Sequence, residues 1–536
     1  MKKYILCIVL LGSIFLALTG CGSAPAAEDA PFSGGAGTPE DPYRISTDAD
    51  LWELAERTNR GDARETFAGA CYILTGDIDL GSKNWTPIAM EGTAFTGTLD
   101  GDGHTVRGLK IHATAKSGQT DFGLVSRNQG TIRNLTISDS SIQIKGSGGN
   151  AAAFAGSAFN GTFENCRTTA SVEISSSYCA AGICANLNKG SALSGCANSA
   201  NITSTGDVGQ AAGIGCYVSC PITDCTNDGT VTSQGDAAGI AVSASGGLQD
   251  CVNTGVITAR SYCAGVVCRF SDGALNHSMN DADISLLRCT NSGSVSSRED
   301  PAGGIAVSCR TGLVRDCVNT GAVSSPMEAG GILAYFQQDV FGEACPEFRV
   351  IGCTNSGSVT ALESYAAGGI CGEVYGNTTA VFFENCENTG DIHATGKPNT
   401  VGSGSEAGGI VGCANVTSLT LSDCRNSGSI RGFGYAGGIL GRAYPDNHAE
   451  AAQTELSLLR CSNDAPVYVT EPGGLLRDIY AGGIAGHCQV ISLDEDLLLA
   501  FDRIREEGCS NSGRVGGDQI DARLHYSEIF GNQEDF

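Results

Sequence analysis

The chain has 536 residues, 75 of them glycine and 13 proline, with 41% apolar and 17% charged residues. Glycine at twice its usual ~7%, without a Gly-X-Y period, excludes collagen, and this apolar fraction is too high for a disordered chain. The net charge of −26 repels phosphate backbones and argues against nucleic acid as a partner, leaving neutral glycans, cationic ligands and divalent ions open.

Residues 1–21 read as an address. Lys2 and Lys3 form a basic start, and Tyr4 to Ala17 is an apolar stretch too short to cross a membrane comfortably. Leu18-Thr19-Gly20-Cys21 follows at once. This resembles a bacterial lipoprotein signal with its lipobox, which implies that Cys21 is acylated and anchors the chain to the bacterial cell membrane, outside the cytoplasm. Residues 22–38, rich in Ala, Gly, Ser and Pro, read as a flexible tether.

Residues 39–137 read as an N-terminal cap with the first coils of a repeat. Leu51, Leu54, Ala55 and Thr58 fall on one face behind a Thr47/Asp48 start, predicting a short amphipathic helix over 47–59. An open repeat end exposes its core and a strand edge, and such a helix would cover both. Strands are predicted at Cys71–Leu74, Phe95–Leu99 and Thr105–Ile111, the last after an Asp100–Gly103 turn.

Residues 138–536 repeat two phrases. Cysteine, any residue, asparagine, a small residue, glycine, any residue and a β-branched residue begin at Cys225, Cys251, Cys289, Cys317, Cys353, Cys386, Cys424 and Cys509, with degenerate copies at Cys166, Cys196 and Cys461. Between them recurs Ala-Gly-Gly-Ile or a close variant, as at Gly239-Ile240, Gly331-Ile332 and Gly409-Ile410. The shortest unit spans 26 residues, from Cys225 to Cys251, and holds three short β-favouring runs without helical periodicity. That is one coil of a parallel β-solenoid, and about thirteen coils are expected.

Each phrase has a physical reason to recur. Equivalent positions stack about 4.8 Å apart, so inward residues form ladders. Cysteine suits a crowded inward row as a small buried thiol. The asparagines Asn227, Asn253, Asn291, Asn319, Asn355, Asn388 and Asn426 are expected to bond from coil to coil at a turn. The glycine after each is expected to supply a positive φ. Removing Cys7 and Cys21 from the 25 cysteines leaves an odd 23, and in-register neighbours have poor disulfide geometry, so reduced thiols are expected. No metal-ligand spacing recurs.

Phrases ending in glycine, such as Gly409-Ile410-Val411-Gly412, Gly438-Ile439-Leu440-Gly441 and Gly483-Ile484-Ala485-Gly486, resemble the GLUG motif of bacterial cell-surface, adhesin-like proteins. Gly37 to Ser46, with Asp77–Leu80, Trp85–Ile88 and Gly97–Val106, resembles the leader before those repeats. The resemblance covers about residues 37–515 and implies an all-β, right-handed parallel β-helix of the pectin-lyase-like kind. Some GLUG-bearing chains are immunoglobulin A peptidases with a zinc-binding His-Glu-x-x-His, but none of the seven histidines here precedes a glutamate.

Function is expected outside the stacking logic. Between the phrase glycine and the next cysteine, regular coils need 12 to 17 residues, whereas 265–289, 331–353, 438–461 and 483–509 need 22 to 26. These excursions are expected to leave at one corner and build a lateral ridge holding Arg269, Phe270, His277, Asp281, Tyr335, Phe336, Phe341, Tyr444, Asp446 and His448. Aromatic and charged residues together suit a glycan or peptide on a host or cell surface. The alternative is a carbohydrate-active enzyme, a lyase or hydrolase. Asp77, Asp79, Asp100 and Asp102 match its carboxylates, and calcium its cofactor, only in type, because turns favour Asp for backbone reasons. No catalytic motif or resident cofactor is recognised.

Overall fold

The computed structural model describes residues 32–527 apart from 61–62, 82, 91, 117–119, 271–284, 311, 338–346, 364, 397–404, 446–453, 471–478, 492–497 and 518–523. Cys21 and most of the tether lie outside the described residues.

The chain forms the expected parallel β-helix, one coil per repeat unit. The unit from Cys225 contains the strands Thr226–Asn227, Val231–Ser233, Asp236–Ala238, Ala241–Ala244 and Leu248–Gln249. The three β-favouring runs account for four of these, the middle run being split at Gly239-Ile240, and the Cys-x-Asn phrase itself supplies the fifth, Thr226–Asn227. Equivalent strands pair in parallel and in register, as in Asn227↔Asn253 and Val231↔Ile257. In coil order they build a 14-stranded sheet 1 carrying the asparagines, 13-stranded sheets 2 and 3, and a 25-stranded sheet 4 made of two strips, 4a and 4b.

Alternation along each strand sends one set of side chains inward. Val231, Ile240, Leu248 and Cys251 are fully buried, and Ile240 is repeated coil by coil as Val266, Ile305, Ile332, Ile370 and Ile410. Cys225, Cys251, Cys289, Cys317, Cys353, Cys386 and Cys424 form a buried thiol row, and every described cysteine is free. The Cys317 thiol donates to the carbonyls of Leu286 and Arg315, both at 3.5 Å. Beside this row runs the amide ladder. Each Asn Nδ2 donates to the next Asn Oδ1, from Asn227 to Asn253 at 2.7 Å through Asn388 to Asn426 at 2.7 Å, and to a glycine carbonyl two residues on.

One expectation is overturned. The glycine after each ladder asparagine has no positive φ. The left-handed residue is instead the one before the cysteine, as at Asp224, Asp250, Arg288, Asp316, Asn385, Asp423 and Arg460, with φ between 50° and 55°. The glycine is required by close approach, since a Cβ on Gly255 would stand 2.0 Å from the Gly229 carbonyl oxygen. The left-handed column stacks too. Arg288 pairs with Asp250 at 2.7 and 2.8 Å, and Arg460 with Asp423 at 2.8 and 2.6 Å.

The N-terminal end is covered by α1 (Asp48–Asn59), as expected. Thr47 and Asp50 form a reciprocal capping box. Burial works against the Asp50 charge, but donors from Ser33, Ser46 and Thr47 hold its carboxyl below the usual range. Leu51, Leu54 and Ala55 join the core, and Trp52 packs on Trp85 with ring centroids 4.6 Å apart. A second short helix, α2 (Arg64–Ala68), follows.

The four long excursions all leave between strips 4a and 4b, after Phe270, Gln337, Pro445 and His487. In two coils the strips fuse across that junction into single strands, Cys371–Glu384 and Val411–Ser422.

Candidate binding cleft

The Ala-Gly-Gly-Ile phrase carries the chain from sheet 3 to strip 4a. While Ile240 points inward, Ala238 and Val242 point outward and meet, because the bend turns the two outer faces toward each other. A second apolar cluster, separate from the core, results along the rod, with Ala212, Ala238 and Ala264 from sheet 3 against Cys216, Val242 and Cys268 from strip 4a. This is the floor of a cleft. Toward the C-terminus it narrows until only glycine fits. A Cβ on Gly408 would stand 1.8 Å from the Val411 carbonyl oxygen, and one on Gly412 2.7 Å from that of Ala367. The outer glycines of the phrase are therefore set by two backbones in contact.

The walls are the first and eighth residues of the window X-Ala-Gly-Gly-Ile-x-x-X. On sheet 3 they run Cys179, Gln210, Asp236, Tyr262, Pro301, Glu328, Ala366, Glu406, Tyr435 and Tyr480. Opposite, strip 4a presents Asn186, Tyr217, Ser243, Arg269, Ser308, Tyr335, Glu373, Cys413, Arg442 and His487.

The middle of the cleft is aromatic. Tyr178, Tyr217, Tyr262 and Tyr335 pack half-buried on the Ala/Cys floor. Burial, with Tyr178 close to Tyr217 and Tyr262 close to Tyr335, pushes the Tyr217 and Tyr335 phenols up. Arg269 lies 2.7 Å from the Asp236 carboxylate and 4.6 Å over the Tyr262 ring. Gln210, only 8% exposed, has a buried Oε1 without a hydrogen-bond partner among the described residues.

The C-terminal part is ionic. Glu328, Glu373 and Glu406 are buried on the walls. Arg442 reaches Glu406 at 3.3 Å and lies between the rings of Tyr435 at 4.6 Å and Tyr444 at 5.0 Å. Tyr435 stacks on Tyr480 at 5.7 Å, and Tyr480 meets His487 at 4.3 Å. Burial pushes the Glu373 carboxyl well up, and the Glu328 charge adds to this. Burial raises Glu328 as well, and raises Glu406 despite Arg442. Glu328 and Glu373 lie close enough to perturb one another, which favours the neutral form of Glu373.

The predicted ridge residues divide. Arg269, Tyr335 and Tyr444 stand on strip 4a, in or beside the cleft, not on an excursion. Phe270 and Phe336 belong to the core instead, because alternation turns them inward, and Phe336 stacks on Phe348 at 4.1 Å. His277, Asp281, Phe341, Asp446 and His448 lie outside the described residues. The turn aspartates serve locally. Asp79 pairs with Arg107 at 3.1 Å, and Asp100 with Arg133 at 2.7 Å while accepting from the Asp102 N–H. No group of three His, Cys, Asp or Glu among the described residues is placed to hold a metal ion. A separate hollow of about 230 Å³ lies over α1, lined by Trp52, Glu56, Asn59 and Arg60.

Sequence reasoning missed Gln210, Asp236, Tyr262, Glu328, Glu373 and Glu406. Superposing the phrase copies and reading the two flanking positions would have found them, since within that window they alone change freely between apolar, polar and charged types.

No family model matches the chain. Over 152 residues, 26% of this chain and 2% of the relative, it is 36% identical to "Halomucin" of Haloquadratum walsbyi. Over 124 residues, 23% of this chain and 14% of the relative, it is 32% identical to a protein named "Putative Gly-rich membrane protein" of Evansella cellulosilytica. The chain thus spans a small part of either relative. Among solved structures it is similar to one titled as a putative immunoglobulin A1 protease from Bacteroides ovatus, with 16% identity, 68% of this chain and 86% of that chain covered, and a TM-score of 0.30.

Proposed function

We propose that this chain is a lipid-anchored bacterial surface protein whose β-helix binds an extracellular ligand in the cleft between sheet 3 and strip 4a. The carrying observation is the contrast within one window. Its inner residues are the same small or aliphatic types coil after coil, while its two outer ones supply Tyr, Asp, Glu, Arg and Gln. Stacking needs no such variety, whereas a ligand lying across several coils uses it. The lipobox-like Leu18-Thr19-Gly20-Cys21, the GLUG-like phrases and the names of the two relatives support a place at the cell surface.

The carbohydrate-active alternative is favoured less. Two carboxyls acting on a glycosidic bond must both reach it, about 5 Å or more apart, whereas Glu328 and Glu373 are buried and crowd one another. Two measurements test the proposal. Cys21→Ser is expected to move the chain from the membrane fraction to the soluble one. On a glycan array read with product analysis, binding without new chain ends is expected. New reducing or unsaturated ends would establish the enzyme instead.

A further inference from the structure

We propose that the cleft between Tyr178 and Tyr335 holds a linear, uncharged, β-linked polysaccharide lying along the rod, a reading that rests on the cleft being the ligand site.

Four observations select this ligand. First, Tyr178, Tyr217 and Tyr335 pack on the apolar floor and stay partly exposed, a platform for the flat C–H face of a sugar ring, while the Tyr262 ring between them is covered by Arg269. Second, Arg269 is the one cation in the two wall rows here, and it is held by Asp236 at 2.7 Å. No free positive charge is left for an acidic polymer, and the net charge of −26 repels one. Third, Gln210 Oε1 is a buried acceptor without a partner among the described residues. Such a group calls for a donor, and a sugar hydroxyl supplies it. Fourth, Tyr217 and Tyr335 stand on one wall four coils apart, separated by Ser243, Arg269 and Ser308. At ~4.8 Å per coil that is about 19 Å along the rod, matching the advance of four sugars in an extended β-linked chain, whereas an α-linked chain curls away from a straight rod. An extended peptide fits less well. It adds to a free sheet edge, and the strands forming these walls are hydrogen-bonded on both sides by neighbouring coils.

Titration calorimetry on the full chain tests this with four probes, the β-1,4-linked hexamers of glucose and of N-acetylglucosamine, the α-1,4-linked hexamer of glucose, and hexagalacturonate. At least one β-linked hexamer is expected to bind, and its disaccharide to bind far more weakly. Tyr217→Ala and Tyr335→Ala are each expected to weaken binding about ten-fold, the scale of one aromatic contact, with melting temperature retained. Preference for the α-linked or acidic hexamer, with the tyrosine variants still impaired, overturns the ligand class and leaves the cleft as the site. Unaltered affinity in both variants overturns the cleft itself. Absence of binding by all four hexamers overturns the ligand class, and cell-surface binding by the same variants then decides the cleft.

Discussion

Asn319 offers the sharpest test of what holds the coils together. It has no solvent exposure. Its Nδ2 donates to the Gly321 carbonyl at 2.9 Å and to Asn355 Oδ1 at 2.8 Å, and its Oδ1 accepts from Asn291 Nδ2 at 2.7 Å. Asn319→Ala removes all three bonds and strands Asn355 Oδ1 and the Gly321 carbonyl, at ~1–3 kcal/mol for each buried polar group. It also opens a void beside Gly304, whose missing Cβ would stand 2.5 Å from the Asn319 Cγ; this adds about 1 kcal/mol. The expected cost is therefore about 3–5 kcal/mol. Asn511 is the internal control. It ends the described ladder, its Oδ1 accepting from Asn463 Nδ2 at 2.8 Å and from the Gly513 N–H at 3.2 Å, and it is half-buried, so water replaces the lost bonds. Asn511→Ala is expected to cost below about 1 kcal/mol. Because solenoid coils contact only their neighbours, the loss is best followed by hydrogen exchange in residues 289–390, alongside urea unfolding. Equal effects at both positions, or a cost under about 1 kcal/mol at Asn319, would refute the ladder as a source of cohesion.

The raised carboxyls of Glu328, Glu373 and Glu406 bind protons in the folded chain that the unfolded chain releases. Their contribution is thus full below the unfolded value of about 4.5 and is lost as pH rises; Glu373→Gln, which keeps a donor toward Glu328, is expected to flatten the decline and raise the melting temperature above pH 7. A melting profile with unchanged slope would show that the proton is held elsewhere. Cys71 and Cys509 are half-buried while the other described cysteines are buried, with burial pushing Cys263 up to about 12. A thiol reagent at pH 7.5 should therefore label those two first and the row only on unfolding, as peptide mapping would show. Gly441→Ala places a Cβ 2.4 Å from the Gly412 carbonyl oxygen, whereas Gly516→Ala meets nothing within 4 Å. The first should cost about 1–3 kcal/mol and the second almost nothing, and similar melting temperatures for the two would show that the walls part freely.

The architecture was legible because a solenoid writes each interior contact many times. The Cys and Asn phrases gave coil number, inward rows and inter-coil bonding, and the Thr47 start placed α1. Two features were hidden for specific physical reasons. The left-handed position before each cysteine is filled by Asp, Asn, Arg or Gly, so no single residue type marks it. The bend that makes the cleft depends on which side each glycine of the phrase faces. Gly369 is pressed by the Gly409 carbonyl and Asn388 from inside, whereas Gly368 and Gly372 are pressed by backbone across the bend. A linear string of glycines does not distinguish these. Phe270 and Phe336 were misassigned because an aromatic residue before an insertion looks like part of it, while strand alternation had already turned both inward.

The same alternation explains why any recognition would sit where it is proposed. An inward residue has a copy of itself above and below, so a change of size or polarity there disturbs three coils at once. Interior rows are thereby held to one type, as the Cys, Asn and Ile rows are. A residue on an outward wall has solvent on one side and can differ from its neighbours, provided the floor beneath accommodates it. The floor does vary, from Ala238 and Val242 to Gly437 and Gly441, and the residues above change with it. Over the Ala/Cys floor stand half-open tyrosines, and over the glycine floor stands a closed network of Glu406, Arg442, Tyr435 and His487. The closed part lends rigidity, since Arg442 pairs with Glu406 and is covered by the Tyr435 and Tyr444 rings, with only its Nε left without a partner among the described residues. The open part has ring faces and the Gln210 acceptor still to satisfy, which is why the middle of the rod, not its ionic end, is the place to look for a ligand.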